Sequence, residues 1–221
     1  LELLSGMVRE TLSSLQPLSD APFSSVAAVE RPRHVVALAA SSGGLAALSR
    51  VLSALPASFP AAILVLQHLD PHHRSWMAEI LARRTGLRVV EARDRVRIAA
   101  GTAFVAPPGH HLLVGEDGAL SLTDTMKVQH VRPSADILFA SLAASWGAGA
   151  IAVVLSGTGA DGAEGVRAIK QRGGTVIVQD EASAAFFGMP GAAIHTGMAD
   201  RILPLDSIAA ALEELAAGGM A

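Results

Sequence analysis

From His34 onward the chain alternates short, wholly apolar, β-rich runs with Ala/Leu-rich segments of helical spacing. No other feature constrains the fold as much, because a strand that is apolar on both sides has to be covered on both faces. Residues His34 to Leu38, Ala62 to Leu66, Thr102 to Val105, Ile151 to Leu155 and Thr175 to Val178 read as such strands. Leu45 to Ala54, Ser75 to Ala82, Ala135 to Ala144, Ala163 to Gln171 and Ser207 to Ala216 read as helices by their apolar periodicity. Strands separated by helices imply parallel pairing, so the expectation is a doubly wound α/β fold, a mostly parallel sheet with helices on both faces. One stretch departs from this pattern. His111 to Val114 and Ala119 to Leu122 flank Gly115-Glu116-Asp117-Gly118, which predicts a small antiparallel hairpin.

A chain of 221 residues that is 51% hydrophobic suffices for one well-buried core. Ahead of the sheet, Leu1, Leu4, Val8, Leu12 and Leu15 recur at helical spacing, and a Pro, Ser and Ala-rich stretch follows. Residues 1–33 are therefore expected to be a helix and linker, and residues 34–221 the main domain. A start at Leu1 rather than Met suggests a fragment, the helix either packing on the domain or ending a unit upstream. A net charge of -3 gives no general drive toward nucleic acid or an anionic membrane. The lack of cysteine excludes disulfides, thiolate metal sites and a cysteine nucleophile. No apolar run reaches the roughly 18–20 residues that span a bilayer. The first residues lack the basic start and apolar block of a secretion signal, so a cytoplasmic protein is expected.

In open parallel sheets, sites form where loops leave the carboxyl ends of strands. Three such exits carry polar chemistry. The first runs from Val35 through Ala39-Ala40-Ser41-Ser42-Gly43-Gly44, resembling a nucleophile elbow in which small neighbours expose a serine on a sharp turn, with Ala39 where glycine is usual. Ser41 is expected to be exposed near helix-end N–H donors able to stabilise an oxyanion; the plainer reading makes it a helix cap. The second exit, Leu66-Gln67-His68, offers an imidazole suited to general-base work near neutrality. His72 and His73 nearby match no metal motif, and no metal is expected. The third, Ser156-Gly157-Thr158-Gly159-Ala160-Asp161-Gly162, offers Asp161 to orient that histidine. The same glycines spell G-x-G-x-x-G, with Asp180 placed like a ribose-binding acid, which keeps an NAD-binding reading of Gly157 to Gly162 open. Against it, Asp161 sets a negative charge where a pyrophosphate would bind, and too little chain follows for a full nucleotide-binding half.

These loops closely resemble those of the CheB-type methylesterases, through Ala40-Ser41-Ser42-Gly43-Gly44, Leu66-Gln67-His68, Arg132-Pro133-Ser134-Ala135-Asp136-Ile137-Leu138-Phe139, Gly157-Thr158-Gly159-Ala160-Asp161-Gly162 and Gln179-Asp180-Glu181-Ala182-Ser183 leading to Phe187-Gly188-Met189-Pro190. The resemblance covers His34 to about Leu205. It implies Ser41 as nucleophile, His68 as base and Asp161 as the acid that orients it, with backbone N–H groups at Ser42 and Thr158 forming the oxyanion hole. The chain order Ser, His, Asp sets this apart from α/β-hydrolases, in which His195 would be the tempting base. Thr158 and Ala160 stand where the family usually has Met and Asn.

The implied activity is removal of methyl groups from glutamate esters on methyl-accepting chemotaxis receptors, with deamidation of glutamine by the same acyl chemistry and without a cofactor. The implied partners are the helical cytoplasmic region of a receptor and an upstream receiver domain, the catalytic part acting as a monomer. Arg83, Arg84, Arg88, Arg93, Arg95 and Arg97 make one region locally basic, which either steers toward acidic receptor segments or is a solvated face balanced by Glu91 and Asp94. Phe186, Phe187 and Met189 either line the site or fill core. A receptor-binding module without turnover is the remaining alternative.

Overall fold

The computed structural model describes Gly6, residues 31–70 and residues 75–218. The anticipated helix within residues 1–15, and His72 and His73, lie outside the described residues, apart from Gly6, which is helical. The described chain runs β1 (Val35–Ala40), α1 (Gly44–Ala54), β2 (Ala62–Gln67), α2 (Met77–Ala82), β3 (Arg88–Glu91), β4 (Thr102–Val105), β5 (His111–Val114), β6 (Leu120–Thr123), α3 (Ala135–Trp146), β7 (Ala150–Val154), α4 (Ala163–Gln171), β8 (Thr175–Gln179), α5 (Gly188–His195), β9 (Arg201–Leu203) and α6 (Leu205–Ala217). A short 3-10 turn, Gly147–Gly149, joins α3 to β7.

Seven strands pair in the order β3-β4-β2-β1-β7-β8-β9, every pair parallel, and β5 and β6 form the separate antiparallel hairpin. Period-two alternation divides the interior into two cores. Val35, Ala37 and Ala39 of β1 join Leu138, Phe139 and Leu142 of α3, Val166 and Ile169 of α4, and Leu112 and Leu120 of the hairpin. Val36, Leu38 and Ala40 point the other way, onto Leu48, Val51 and Leu52 of α1, Leu81 of α2, and Ile208 and Leu212 of α6. The result is a three-layer sandwich in which the central strands are buried on both faces. Among the described residues no helix is long and apolar enough to cross a membrane.

Two strands and one helix went unread in the sequence. Strand β3 carries Arg88 and Glu91 exposed at its ends, the charged pattern of an edge strand rather than a core one. The opposite edge, β9, has only three residues. Helix α5 contains two glycines and a proline, poor helix formers, and is held by burial of Met189, Pro190 and Ala193. Smaller shifts have local causes. Ser75 lies before α2 and accepts the Met77 N–H with its hydroxyl at 3.1 Å, and Asp117 Oδ1 accepts the Ala119 N–H at 3.0 Å, drawing Ala119 into the turn.

The helices α3 and α4 pack so closely that a Cβ at Gly165 would lie 2.7 Å from Phe139 Cβ and 3.0 Å from Asp136 Cα. Substituting Gly165→Ala should therefore cost about 1–3 kcal/mol through overpacking. At Gly86 the nearest atom to an added Cβ is Ala57 Cβ at 3.5 Å, an ordinary contact. Thermal unfolding of both variants checks the contrast: Gly165→Ala should melt several degrees below the parent and Gly86→Ala should not.

Candidate active site

The strand order places β1 at a switch point, since the chain leaves it toward β2 on one side and returns to β7 on the other. Loops leaving β1 and β7 must diverge there, and the crevice between them is where ligands bind in open α/β sheets. Register brings the three exits level. Ala40 pairs with Gln67, and the His68 N–H donates to Ala40 O at 3.1 Å. Across the crevice the Ser41 N–H donates to Ser156 O at 3.0 Å. Ser41 is half-buried rather than exposed.

His68 and Asp161 meet directly, with Nε2 2.8 Å from Oδ2. An ionised carboxylate only accepts, so Nε2 carries the proton and Nδ1 is the basic nitrogen. Asp161 is buried and held by three donors besides the imidazole. Ser134 Oγ and the Asp136 N–H donate to Oδ1 at 2.7 and 3.1 Å, and the Ala135 N–H donates to Oδ2 at 2.6 Å. These groups lie at the start of α3, where unsatisfied N–H groups and the helix dipole favour an anion. Ser41 directly follows the residue whose carbonyl holds the His68 backbone. Its hydroxyl makes no hydrogen bond to the imidazole among the described residues, a contact that often closes only when substrate is bound.

Around Ser41 the backbone is packed without slack. Gly43 adopts φ 76° at the cap of α1, and a Cβ there would lie 2.8 Å from Ser156 Oγ. A Cβ at Gly157 would collide with Met189 Sδ and approach Ser41 Cβ to 2.9 Å. Gln67 Nε2 donates to Ser41 O at 2.7 Å, and Ser156 Oγ donates to Ser42 O at 2.8 Å. Ser156 is fixed in turn by Gln179 Oε1, which accepts its N–H at 2.8 Å. The Ser42 and Thr158 hydroxyls lie 3.4 Å apart across the crevice, and no backbone carbonyl among the described residues accepts either residue's N–H. Phe186 stands 47% exposed beside Gly43, whereas Met189 is core.

The alternatives read from the sequence find other employment. His195 Nδ1 is bonded to Gly191 O, within its own helix. Asp180 caps its own turn, accepting the N–H and hydroxyl of Ser183 at 3.0 and 2.6 Å. The N–H groups that would cradle a pyrophosphate at the start of α4 are already held: those of Gly162 and Gly165 donate to Asp136 Oδ1 at 2.9 and 2.8 Å. No group of three or more His, Cys, Asp or Glu side chains suited to a metal occurs among the described residues.

A family model described as CheB methylesterase matches residues 36–212. The chain belongs to the CheB methylesterase family. It is 44% identical to protein-glutamate methylesterase FrzG of Myxococcus xanthus over 82% of this chain and 54% of that protein. It is also 44% identical to a protein-glutamate methylesterase/protein-glutamine glutaminase of Anaeromyxobacter dehalogenans, over 97% of this chain and 62% of that one. The chain thus spans just over half the length of these curated relatives. The crystal structure of the Thermotoga maritima CheB methylesterase catalytic domain superposes with a TM-score of 0.79 at 35% identity, covering 82% of this chain and 98% of that domain. The seven-stranded parallel sheet with its hairpin is the CheB catalytic-domain fold.

Two buried side chains behind the CheB-type site escaped the sequence reading. His111 accepts the Ser134 N–H at Nδ1 and contacts Met126 O through Nε2, each at 3.1 Å, the bonding of a neutral ring. Burial lowers its pKa from the ordinary 6.5. Asp136, inside α3, is fully buried and also accepts Gln129 Nε2 at 2.7 Å. Burial first, and the Asp161 carboxylate second, push its carboxyl up to about 6 from the ordinary 3.8. Asp136 lay in a string that carried the family resemblance but was given no role of its own, and His111 read only as the start of a hairpin strand. A carboxylate in the first turn of a helix is common, and only tertiary structure reveals what it faces.

The two groups act on stability with opposite sign. Neutral His111 favours folding above pH 6.5, and that contribution is lost as pH falls. For Asp136 the folded state holds the proton more tightly, so its stabilising contribution is present below pH 3.8 and lost as pH rises through about 6. An Asp136→Asn variant, which keeps an Oδ1 acceptor without the charge, should melt higher than the parent at pH 8, the margin shrinking to nothing as pH falls toward 4. Calorimetry across that range checks this; a margin that grows on acidification would refute the charge argument.

Proposed function

We propose that this chain hydrolyses glutamate γ-methyl esters on the cytoplasmic helices of chemotaxis receptors, and deamidates glutamines by the same route. The observation that carries the reading is the His68–Asp161 hydrogen bond beside Ser41, formed at the switch point of a CheB-type fold. The name of the Anaeromyxobacter dehalogenans relative, which joins methylesterase to glutaminase, supports both activities, and that of FrzG supports the first.

In the first half-reaction Ser41 Oγ attacks the ester carbonyl carbon while His68 Nδ1 takes the hydroxyl proton. The oxyanion so formed is held by the backbone N–H groups of Ser42 and Thr158, and Asp161 stabilises the imidazolium. Collapse breaks the bond to the methoxy oxygen, which leaves as methanol with the proton from His68, and Ser41 carries a glutamyl ester. Water, deprotonated by His68, then attacks that ester; glutamate carboxylate departs and Ser41 regains its proton. The same sequence with an amide expels ammonia. Each oxyanion contact is made by backbone, so Thr158 and Ala160 need not impair the chemistry.

We take the enzyme to be a cytoplasmic monomer whose catalytic part is partnered by an upstream receiver domain. The arginine-rich region reads as a partly balanced solvated face, with Arg95 3.6 Å from Asp94 and Arg97 3.4 Å from Asp117.

Methanol release from a methylated chemoreceptor cytoplasmic fragment tests the assignment. The parent should turn over, and Ser41→Ala and His68→Gln should each lower kcat at least about 10³-fold, the scale expected for members of such a triad. Parental rates in Ser41→Ala would exclude it as nucleophile.

A further inference from the structure

The bonds at the starts of α3 and α4 form an exchange. Asp161, just before α4, takes the Ala135 and Asp136 N–H groups at the start of α3. Asp136, inside α3, takes the Gly162 and Gly165 N–H groups at the start of α4. Each helix is thus capped by a carboxylate from the other's sequence, and neither has a side-chain cap from its own capping residue, Ser134 or Gly162. The arrangement is unfavourable in itself, since two buried carboxylates side by side repel, and Asp136 is the one whose proton affinity rises. A neutral side chain at 136 would relieve the repulsion, so what the carboxylate contributes lies in what its oxygen holds.

That oxygen holds the residue following Asp161. Gly162 has φ 99°, and its N–H is fixed on Asp136 Oδ1, so the peptide joining Asp161 to Gly162 is pinned from below while the Asp161 carboxylate is pinned by α3. We infer that Asp136 is a positioning residue for the reaction, acting through Asp161: its Oδ1 locks the 161–162 peptide and thereby the carboxylate that orients His68. The inference rests on the methylesterase reading for its kinetic consequence, but its structural consequence stands apart from it. Withdrawing the acceptor frees two N–H groups at the start of α4 and lets the Asp161 loop relax, and displacements on the order of 1 Å in such a constellation cost up to about 10²-fold in rate.

Two readouts test this on the full chain. The first is the downfield proton resonance of the His68 Nε2–H bonded to Asp161, assigned by its loss in His68→Gln. It should persist in Asp136→Asn, which retains Oδ1, and broaden or vanish in Asp136→Ala. The second is methanol release: Asp136→Ala should lower kcat at least about 10-fold with little change in KM. Asp136→Asn should stay within about threefold of the parent, and Asp136→Ala should cost nothing further in an Asp161→Ala background, because the effect passes through Asp161. Should Asp136→Ala fail to fold, Asp136→Ser, whose shorter side chain withdraws the acceptor, takes its place. An unchanged resonance in the folded Asp136→Ala or Asp136→Ser variant overturns the inference, as does additivity with Asp161→Ala, or a folded Asp136→Asn that behaves like Asp136→Ala. A parent that releases no methanol while the resonance responds as expected overturns the methylesterase reading and leaves the positioning role standing.

Discussion

Backbone N–H groups in the first turn of a helix have no partner within that helix, and the site depends on how three such sets are satisfied. Two of them, at α3 and α4, are closed by carboxylates exchanged between the helices. The third, at α1, begins with Gly43 and has no side-chain cap. Ser41 and Ser42 precede it directly. The closed pair therefore orients the His68 imidazole, while the remaining terminus lies beside Ser41. A sheet with β1 at its switch point is what brings the three termini to one edge.

This exchange has an electrostatic cost that the rest of the fold absorbs. Asp136 and Asp161 are both buried, and the larger contributor to the raised proton affinity of Asp136 is desolvation rather than its neighbour's charge. Four backbone N–H groups, those of Ala135, Asp136, Gly162 and Gly165, donate to the two carboxylates, and the Ser134 N–H fixes His111 behind them. His111 stays neutral because a charged ring would lose its acceptor for Ser134 and have to be buried without water. Gly165 packs closely on Phe139 beside them, and the burial of Ser134, Asp136 and Asp161 strengthens these bonds through the low local dielectric.

The candidate side chains at the strand exits were legible in the sequence because they depend on short-range order: an apolar run that gives way to polar and small residues. Ser41 and Asp161 follow stretches of small residues, His68 follows Gln67 directly at the end of β2, and the structure brings all three to one crevice. What was not legible depends on contacts distant in sequence. Asp136 is separated from the Gly162 it holds by most of α3 and all of β7, and His111 sits at the start of a hairpin strand whose pattern reads as simple burial. The edge strands β3 and β9 escaped for the converse reason: with charged or very few residues, they are strands only because a neighbour offers its free edge.

The departures at Ala39, Thr158 and Ala160 follow from the same division between backbone and side chain. Ala39 lies wholly buried in β1 and pairs with Leu66 and Val154, so the elbow here begins one residue later, and its sharp turn is made by Gly43 at positive φ. Thr158 and Ala160 are exposed, while the glycines around them are constrained, Gly157 by Met189 and Ser41 and Gly162 by its positive φ. A loop whose glycines and terminal aspartate fix its path can vary its outward side chains without moving its N–H groups. The Thr158 hydroxyl lies 3.4 Å from that of Ser42 across the crevice, and Phe186 stands exposed beside Gly43. Variation at 158 and 160 should thus leave the relative placement of Ser41, His68 and Asp161 unchanged, because none of the bonds that set that placement passes through either side chain.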